Sequence, residues 1–117
     1  MEVLRLDRSS AEFYALMGPV FGSRAIEKAT HDRFFDDEGK RWYYVAGRGA
    51  ASMCNGSIRN FWAGDGECAS ALLRAMLEDS HGLCGVVPRT HAVEFERLGF
   101  SVSGYKKNFI EVCYEKD

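Results

Sequence analysis

The sequence has little of what marks disordered, membrane-spanning or nucleic-acid-binding proteins. It contains only two prolines and no low-complexity tract, which argues against long disordered segments. No apolar run approaches the roughly 20 residues of a transmembrane helix, and the opening MEVLRLDRSS lacks the apolar core of a signal peptide. The formal net charge of -2 gives no general electrostatic reason to expect nucleic acid or an anionic membrane as a partner. We therefore expect a cytoplasmic protein that binds neither of them.

Cysteine and histidine are present, but not at the spacings of metal ligands. The four cysteines include no CxxC pair and stand beside apolar or small residues: Cys54, Cys68, Cys84 and Cys113. The three histidines are equally scattered: His31, His81 and His91. We expect no metal site. We expect the cysteines to be small buried hydrophobic residues, because disulfides suit secreted chains and nothing here indicates secretion.

The length of 117 residues predicts a single domain, spanning 1–117, with room for one sizeable core. Its 46% hydrophobic and 27% charged residues are typical of a soluble globular domain. Nothing in the sequence distinguishes a monomer from a homodimer.

The first part of the chain predicts a short strand followed by a helix. Residues 3–6 are apolar enough for a strand, and Ser9 with Glu12 has the spacing of a helix capping box. The helix would place four apolar side chains on one face: Phe13, Leu16, Met17 and Val20. Gly18-Pro19 should break or kink this helix before its last turn.

A second short helix and a loop are expected next. Ser23 can cap the helix, which would run to about residue 30 and bury Ile26 and Ala29. Residues 31–39 have no clear period and predict a loop. Two aromatic residues are interpreted as core anchors of that loop, with a substrate-facing role as the alternative: Phe34 and Phe35.

The middle of the chain predicts three antiparallel strands. Residues 41–46 are aromatic and β-branched, residues 50–54 are mostly small, and residues 57–63 lead into a glycine-rich turn. Asn55-Gly56 is a strong hairpin signal, since a type I′ turn needs positive φ at both central residues.

The stretch from Asn60 to Leu77 reads as a strand, a glycine-rich turn and an amphipathic helix. The helix carries an unbroken apolar stripe: Ala69, Leu72, Leu73, Met76 and Leu77. Residues 83–87 are continuously apolar, as in a strand that is covered on both faces and paired in parallel. These elements predict a right-handed βαβ unit.

The last part predicts a helix and two strands. Thr90 should cap the helix and Gly99 should end it, with three side chains facing inward: Ala92, Phe95 and Leu98. Strands are expected at residues 100–105 and 109–114, the second with alternating apolar and polar positions. The predicted fold class is therefore α/β (α+β), with a mixed, mostly antiparallel sheet around a central parallel βαβ unit.

The turn before the central helix is a candidate anion site. Such a turn places unpaired backbone N–H groups at a helix N-terminus, where a phosphate can bind. Asp65 and Glu67 lie inside this turn. In the alternative interpretation Asp65 is the N-cap and Glu67 favours the helix dipole, so that the chain satisfies its own helix N-terminus without a ligand.

The element order β-α-α-β-β-β-α-β-α-β-β, with a glycine-rich strand-to-helix turn in its middle, resembles that of the GNAT superfamily of acyl-CoA-dependent N-acetyltransferases. One local match is Gly64-Asp-Gly-Glu-Cys-Ala-Ser-Ala-Leu-Leu73. The other, Thr90-His-Ala-Val-Glu-Phe-Glu-Arg-Leu-Gly-Phe100, is similar to the family's C-terminal signature. The resemblance implies a GNAT-like fold and transfer of an acetyl group from acetyl-CoA to an amine.

The resemblance also implies where acetyl-CoA would bind, between strands 57–63 and 83–87. The implied cofactor-binding residues are Phe61, Trp62, Ala63, Gly66, Glu67, Cys68, Ala69 and Ser70. Three basic residues are candidates for the remaining CoA phosphate: Arg74, Arg89 and Lys106.

The family's motif Gln/Arg-x-x-Gly-x-Gly/Ala is only partly present. It places Gly64 at the Gln/Arg position, Glu67 at the first glycine and Ala69 at the last position, and only Ala69 conforms. A Glu67 carboxylate close to a phosphate would cost about 1–4 kcal/mol unless it turned into solvent, which weakens the case for acetyl-CoA.

The catalytic residues that the family would supply are also incomplete. Phe95 occupies the position of the family's acidic tyrosine and cannot donate a proton, and strand 57–63 lacks the carboxylate of the usual base. Tyr105, His91 and Glu94 are the candidate substitutes, or a water could serve. Proximity alone can supply much of an acyl-transfer rate once the thioester and the amine are aligned.

Two readings other than an acetyltransferase stay open. One is a catalytically impaired GNAT-fold protein, of the kind encoded by phages and mobile elements, that no longer uses acetyl-CoA and binds a host protein. Trp42 or Tyr44 would then be candidate contacts, although strand alternation sends both to one face and core packing is expected for at least one. The other is a β-meander protein in which the turn is coincidental. If the protein is an enzyme, its acceptor would be a small-molecule amine or a protein amine.

Overall fold

The computed structural model describes residues 1–116 and has an α+β fold. Its strands are β1 Leu4–Leu6, β2 Arg41–Val45, β3 Gly49–Cys54, β4 Ser57–Ala63, β5 Gly82–Pro88, β6 Ser101–Ser103 and β7 Phe109–Glu115. The α-helices within these residues are α1 Phe13–Phe21, α2 Arg24–Thr30, α3 Gly66–Glu78 and α4 Ala92–Arg97. A 3-10 helix, Arg89–His91, directly precedes α4.

The seven strands form one sheet in the order β1-β2-β3-β4-β5-β7-β6. Neighbouring strands are antiparallel except for β4 and β5, which run parallel and are joined through α3. The predicted mixed, mostly antiparallel sheet with a central parallel βαβ unit is therefore confirmed. The predicted hairpin is confirmed too, because Asn55 and Gly56 have φ values of 52° and 76°.

Side-chain alternation along the strands gives the sheet two apolar faces. Tyr43 and Ala51 point to the face that α3 and α4 cover, where they join the larger buried cluster. Trp42 and Ala50, their neighbours in the chain, point to the opposite face and pack with α1 and α2. The central strands are thus covered on both sides, with the larger core beneath α3.

The parallel strands β4 and β5 pair over a very short length. Their register consists of two residue pairs, Ser57 with Cys84 and Ile58 with Gly85. The next residue of β4, Arg59, has no partner in β3 either, because Ser52 pairs with Asn60 and Met53 with Ile58. Such an extra residue bends a strand, and here the bend lies at the position where β4 parts from β5.

The first helix begins later than predicted. The capping box at Ser9 and Glu12 does not form, because the Ser9 backbone N–H and its hydroxyl both donate to Asp7, and α1 starts at Phe13. The predicted break at Pro19 is wrong. A proline this near the helix end removes only one backbone hydrogen bond, so α1 continues to Phe21.

The other helices follow their predictions with local corrections. Ser23 caps α2 as predicted, accepting a hydrogen bond from the Ile26 N–H, but Thr30 rather than Ala29 is buried with Ile26. Thr90 does not cap α4, since the 3-10 helix occupies that position.

The loop and the last strands also correspond in part. Phe34 is buried as predicted, whereas Phe35 is exposed. Strand β6 is shorter than expected, because Gly104 adopts a left-handed φ of 59° immediately after Ser103.

The expectation of unpaired cysteines is wrong for two of the four. Cys84 and Cys113 face each other in the β5–β7 register and form a disulfide. The pairing could not be anticipated because the residues are 29 positions apart and no local signal placed β7 beside β5. Cys68 is buried as expected, and Cys54 is half-buried.

Candidate functional site

The candidate site is the gap between β4 and β5 beyond their last paired residues. We call it the β4/β5 cleft, a cavity of about 220 Å³. Its lining residues are 61–64 on the β4 side, Pro88, Thr90 and His91 on the β5 side, and Ala29 and Thr30 of α2. The cleft therefore exists because β4 bends away from β5 and leaves their facing backbone edges unpaired.

His91 closes one wall of the cleft. Its Nε2 atom lies 3.1 Å from the carbonyl oxygen of Ala63, and a carbonyl oxygen can only accept, so Nε2 donates this hydrogen bond. The side chain is 8% exposed, and its ring lies edge-on to Phe61 at a centroid distance of 6.2 Å. The imidazole thus bridges the ends of the two diverging strands.

Glu94 stands on the other side of the same imidazole. Its Oε1 atom lies 3.5 Å from Nδ1 of His91. The carboxyl group also packs directly against Gly66, the first residue of α3, and would have to move to admit a side chain there. The structure therefore brings two of the three predicted catalytic candidates together, beside the helix N-terminus.

Tyr105, the third catalytic candidate, does not line the cleft. Its ring is 53% exposed, with the Arg89 guanidinium 5.4 Å from the ring centroid and the hydroxyl 3.3 Å from Glu96. Phe95 is fully buried between Phe61 and Phe100. The wall behind His91 is consequently aromatic and without a hydroxyl group.

The N-terminus of α3 is capped by a side chain of the same turn. Asp65 is the N-cap, and its Oδ1 accepts a 2.8 Å hydrogen bond from the Cys68 N–H. Arg48 donates to the other oxygen at 2.6 Å. The Cys68 N–H, and after it Arg48, lower the pKa of Asp65. The self-capping interpretation of the turn is confirmed for Asp65.

The predicted cofactor-binding residues fall into separate groups. Phe61, Trp62 and Ala63 line the cleft, and Gly66 lies under Glu94. The other predicted positions lie elsewhere: Cys68 and Ala69 are fully buried, and Glu67 and Ser70 face a surface groove of about 590 Å³ on the outer side of α3. Burial raises the pKa of the Cys68 thiol. Glu67 therefore lies at this groove and not at the β4/β5 cleft.

A polar network that the sequence did not predict lies on the α2 side of β4. Asn60 is 4% exposed, and its Oδ1 accepts hydrogen bonds from Lys40 Nζ at 3.0 Å and from Ser52 Oγ at 2.7 Å. Its Nδ2 donates to Asp32 at 3.0 Å. The network fixes the loop before β2 against the strand that borders the cleft. An asparagine in a strand with buried neighbours was the one available signal.

No protein-family model matches this sequence, and no curated protein matches it either. Within residues 1–116, no helix is both long and apolar enough to cross a membrane. The same residues contain no cluster of His, Cys, Asp and Glu side chains that could hold a metal ion.

Proposed function

We propose that the protein is an N-acetyltransferase with a GNAT-like fold, which holds acetyl-CoA in the β4/β5 cleft and transfers its acetyl group to an amine. The observation that carries this proposal is the divergence of β4 and β5 after Ile58 and Gly85. Diverging parallel strands leave free N–H and C=O groups, and these need hydrogen-bond partners. An extended arm that contains amide groups can supply them in the manner of an added strand.

The element order and the position of α3 support the same proposal. The strand before the cleft passes directly into a helix, so a ligand that lies along β4 meets the α3 N-terminus, where an anion is favoured. The element order along the chain is the one that the GNAT resemblance implies.

The chemistry of this proposal centres on His91, the one titratable side chain among the described residues that line the cleft. The acceptor nitrogen attacks the thioester carbon, the C–S bond breaks, and the CoA thiolate takes up the proton that the amine loses. His91 relays that proton once an amide N–H of the bound arm replaces Nε2–H at the Ala63 oxygen. The ring then takes the Nδ1–H tautomer, and the free Nε2 accepts the amine proton and passes it to the thiolate. Glu94 orients the ring through Nδ1.

A second candidate function is favoured by three contacts within the chain. Asp65 already caps α3, Glu94 covers Gly66, and His91 occupies the Ala63 carbonyl. Together they occupy the Cys68 N–H, the space beside Gly66 and the Ala63 carbonyl, all of which a CoA ligand would use. These contacts are what a GNAT-fold binding protein without acetyl-CoA would have. Trp42 is not a contact residue in that reading, since it is fully buried.

Calorimetric titration with acetyl-CoA separates the two candidates. Glu94→Gln removes a negative charge beside the α3 N-terminus and should tighten binding about three- to tenfold, because the CoA diphosphate is repelled by that charge. Glu96→Gln makes the same change of charge two positions away on an exposed part of α4 and should leave the affinity unchanged. If neither the native protein nor Glu94→Gln binds acetyl-CoA, the acetyltransferase proposal is wrong and the binding protein is favoured.

A further inference from the structure

A second cavity adjoins the β4/β5 cleft. It has a volume of about 380 Å³ and is lined by Ala29, His31, Arg89, Thr90, Lys107 and Asn108. We call it the basic pocket. It shares Ala29 and Thr90 with the cleft, so the two cavities lie side by side between α2 and the end of β5.

The basic pocket concentrates positive charge in a chain that is acidic overall. His31, Arg89 and Lys107 line it, and its lining includes no aspartate or glutamate. Within residues 1–116 none of these three side chains forms an ion pair. The formal net charge of the chain is -2, so this local excess of positive charge stands against an acidic background.

The Arg89 side chain is held in place by neutral groups and not by a carboxylate. Its Nη1 donates to the Lys106 carbonyl at 3.2 Å, and its guanidinium lies 5.4 Å from the centre of the Tyr105 ring. Its backbone N–H donates to the Asn108 carbonyl at 3.0 Å. These contacts fix the guanidinium at the pocket that Lys107 also lines, and no carboxylate of residues 1–116 forms an ion pair with it. A positioned, unneutralised guanidinium favours carboxylate or phosphate ligands.

The positive charge extends beyond the pocket along α2. His31 also lines an open cleft of about 980 Å³ whose other basic residues are Arg24, Lys28 and Arg33. Two acidic residues, Glu27 and Asp32, line that cleft as well, and Asp32 is bound by Asn60. The approach to the basic pocket is therefore also favourable for an anion.

We propose that the basic pocket binds the anionic group, carboxylate or phosphate, of the acceptor substrate. This inference rests on the proposed function, because it takes the adjoining cleft as the place of acetyl transfer. The acceptor is then a small molecule that carries an amine and an anionic group together. Its anion contacts Arg89 and Lys107 while its amine reaches across Thr90 into the cleft.

The pocket is tested first without acetyl-CoA, by NMR titration of the native protein with inorganic phosphate and, separately, with acetate. The amide signals of Thr90 and Asn108 should shift, and Lys107→Gln should weaken binding about tenfold, as expected for loss of one charged hydrogen-bond donor. Lys106→Gln is the matched control. It makes the same change of charge at a neighbouring residue that does not line the pocket, and it should bind like the native protein. Absence of these shifts, or equal weakening in both variants, would overturn the anion site.

Acetyl-CoA titration then separates the acceptor's anion from a phosphate of CoA. Lys107→Gln should bind acetyl-CoA as the native protein does. If its affinity for acetyl-CoA falls by the same factor as its affinity for phosphate, the pocket holds CoA and the acceptor assignment is wrong. If phosphate binds in the pocket but acetyl-CoA does not bind the native protein, the proposed function fails while the anion site stands.

Turnover identifies the anion. The native protein should acetylate phosphoethanolamine or β-alanine with kcat/KM at least about tenfold above that for ethanolamine, which has the amine alone. Lys107→Gln should remove that preference and Lys106→Gln should keep it. Equal rates for all three amines would overturn the proposal.

Discussion

Nε2 of His91 donates a 3.1 Å hydrogen bond to the carbonyl oxygen of Ala63, and this contact joins β4 to the segment after β5 at the place where the two strands no longer pair. The same imidazole faces Glu94 through its other nitrogen. A ligand that lies along β4 has to displace the ring from Ala63. His91 therefore affects both access to the cleft and the chemistry proposed inside it.

The first prediction concerns His91→Ala. The variant should lose about 2 kcal/mol of unfolding free energy, because a buried side chain and its hydrogen bond are removed. Its affinity for acetyl-CoA should increase, since the Ala63 carbonyl is free, while kcat should fall because the proton relay is lost. Calorimetry and steady-state kinetics measure the two effects, with the exposed His81→Ala as control. Unchanged kcat would remove His91 from the mechanism.

The second prediction concerns the close approach of β5 to β4. A Cβ atom at Gly85 would lie 2.8 Å from both Cβ and the backbone oxygen of Ile58, so Gly85→Ala should destabilise the fold by about 1–3 kcal/mol. Gly22→Ala is the matched control, because its φ of -90° suits alanine and its nearest contact is 3.5 Å away. Urea unfolding should leave that control within about 0.5 kcal/mol of the native protein. Equal effects of the two substitutions would contradict the close approach.

The third prediction concerns the buried network around Asn60. Asn60→Ala leaves the buried Ser52 hydroxyl without an acceptor and removes one hydrogen bond each from Lys40 and Asp32, so it should cost about 2–3 kcal/mol in urea unfolding. Ser52→Ala removes one of the two donors to Asn60 Oδ1 and leaves the hydrogen bond from Lys40, so it should cost about 1 kcal/mol. A network that contributes nothing to stability would give the same small loss for both variants.

The fourth prediction concerns the alkaline limit of stability. Burial, and then the 2.7 Å hydrogen bond to Asp79, raise the pKa of Tyr43 to about 12. The pKa of a tyrosine in an unfolded chain is about 10. Because the folded pKa is the higher one, this contribution to stability is complete below the unfolded pKa and is lost as the pH rises toward the folded value.

Tyr43→Phe provides the comparison. Native protein and variant should differ in unfolding free energy by a constant amount at neutral pH, and the difference should shrink steadily between about pH 10 and 12. Parallel curves over that range would show that the phenol does not contribute in this way.

The fifth prediction concerns the disulfide. Cys84→Ser with Cys113→Ser should lower the unfolding free energy by about 2–4 kcal/mol, because the bond closes a chain segment of moderate length in the unfolded state. A thiol reductant should lower the stability of the native protein by a similar amount and leave the double variant unchanged. Cys54→Ser, at a free cysteine, controls for the loss of a thiol. A native protein insensitive to reductant would contradict the bond.

The sequence predicted the elements that depend on local patterns. The stripe on α3 and the positive φ turn at Asn55-Gly56 are determined by neighbouring residues, and both are present. The contact of His91 with Ala63 joins residues 28 positions apart, and no periodicity in either segment reports it. The surface on which the Glu67 side chain lies could not be predicted either, because it depends on which side of α3 faces the sheet.

The short pairing of β4 with β5 also has a mechanical consequence. The sheet consists of two parts, β1–β4 and β5–β7, whose pairing ends at Ile58 and Gly85, and α3 packs across both of them. A motion that widens the far end of the cleft breaks no hydrogen bond between these two strands, because none joins them there. It would break the hydrogen bond of His91 to Ala63 and shift the aromatic rings behind the imidazole. The cleft could therefore widen through the movement of a few side chains, with the strand pairing inside each part of the sheet unchanged.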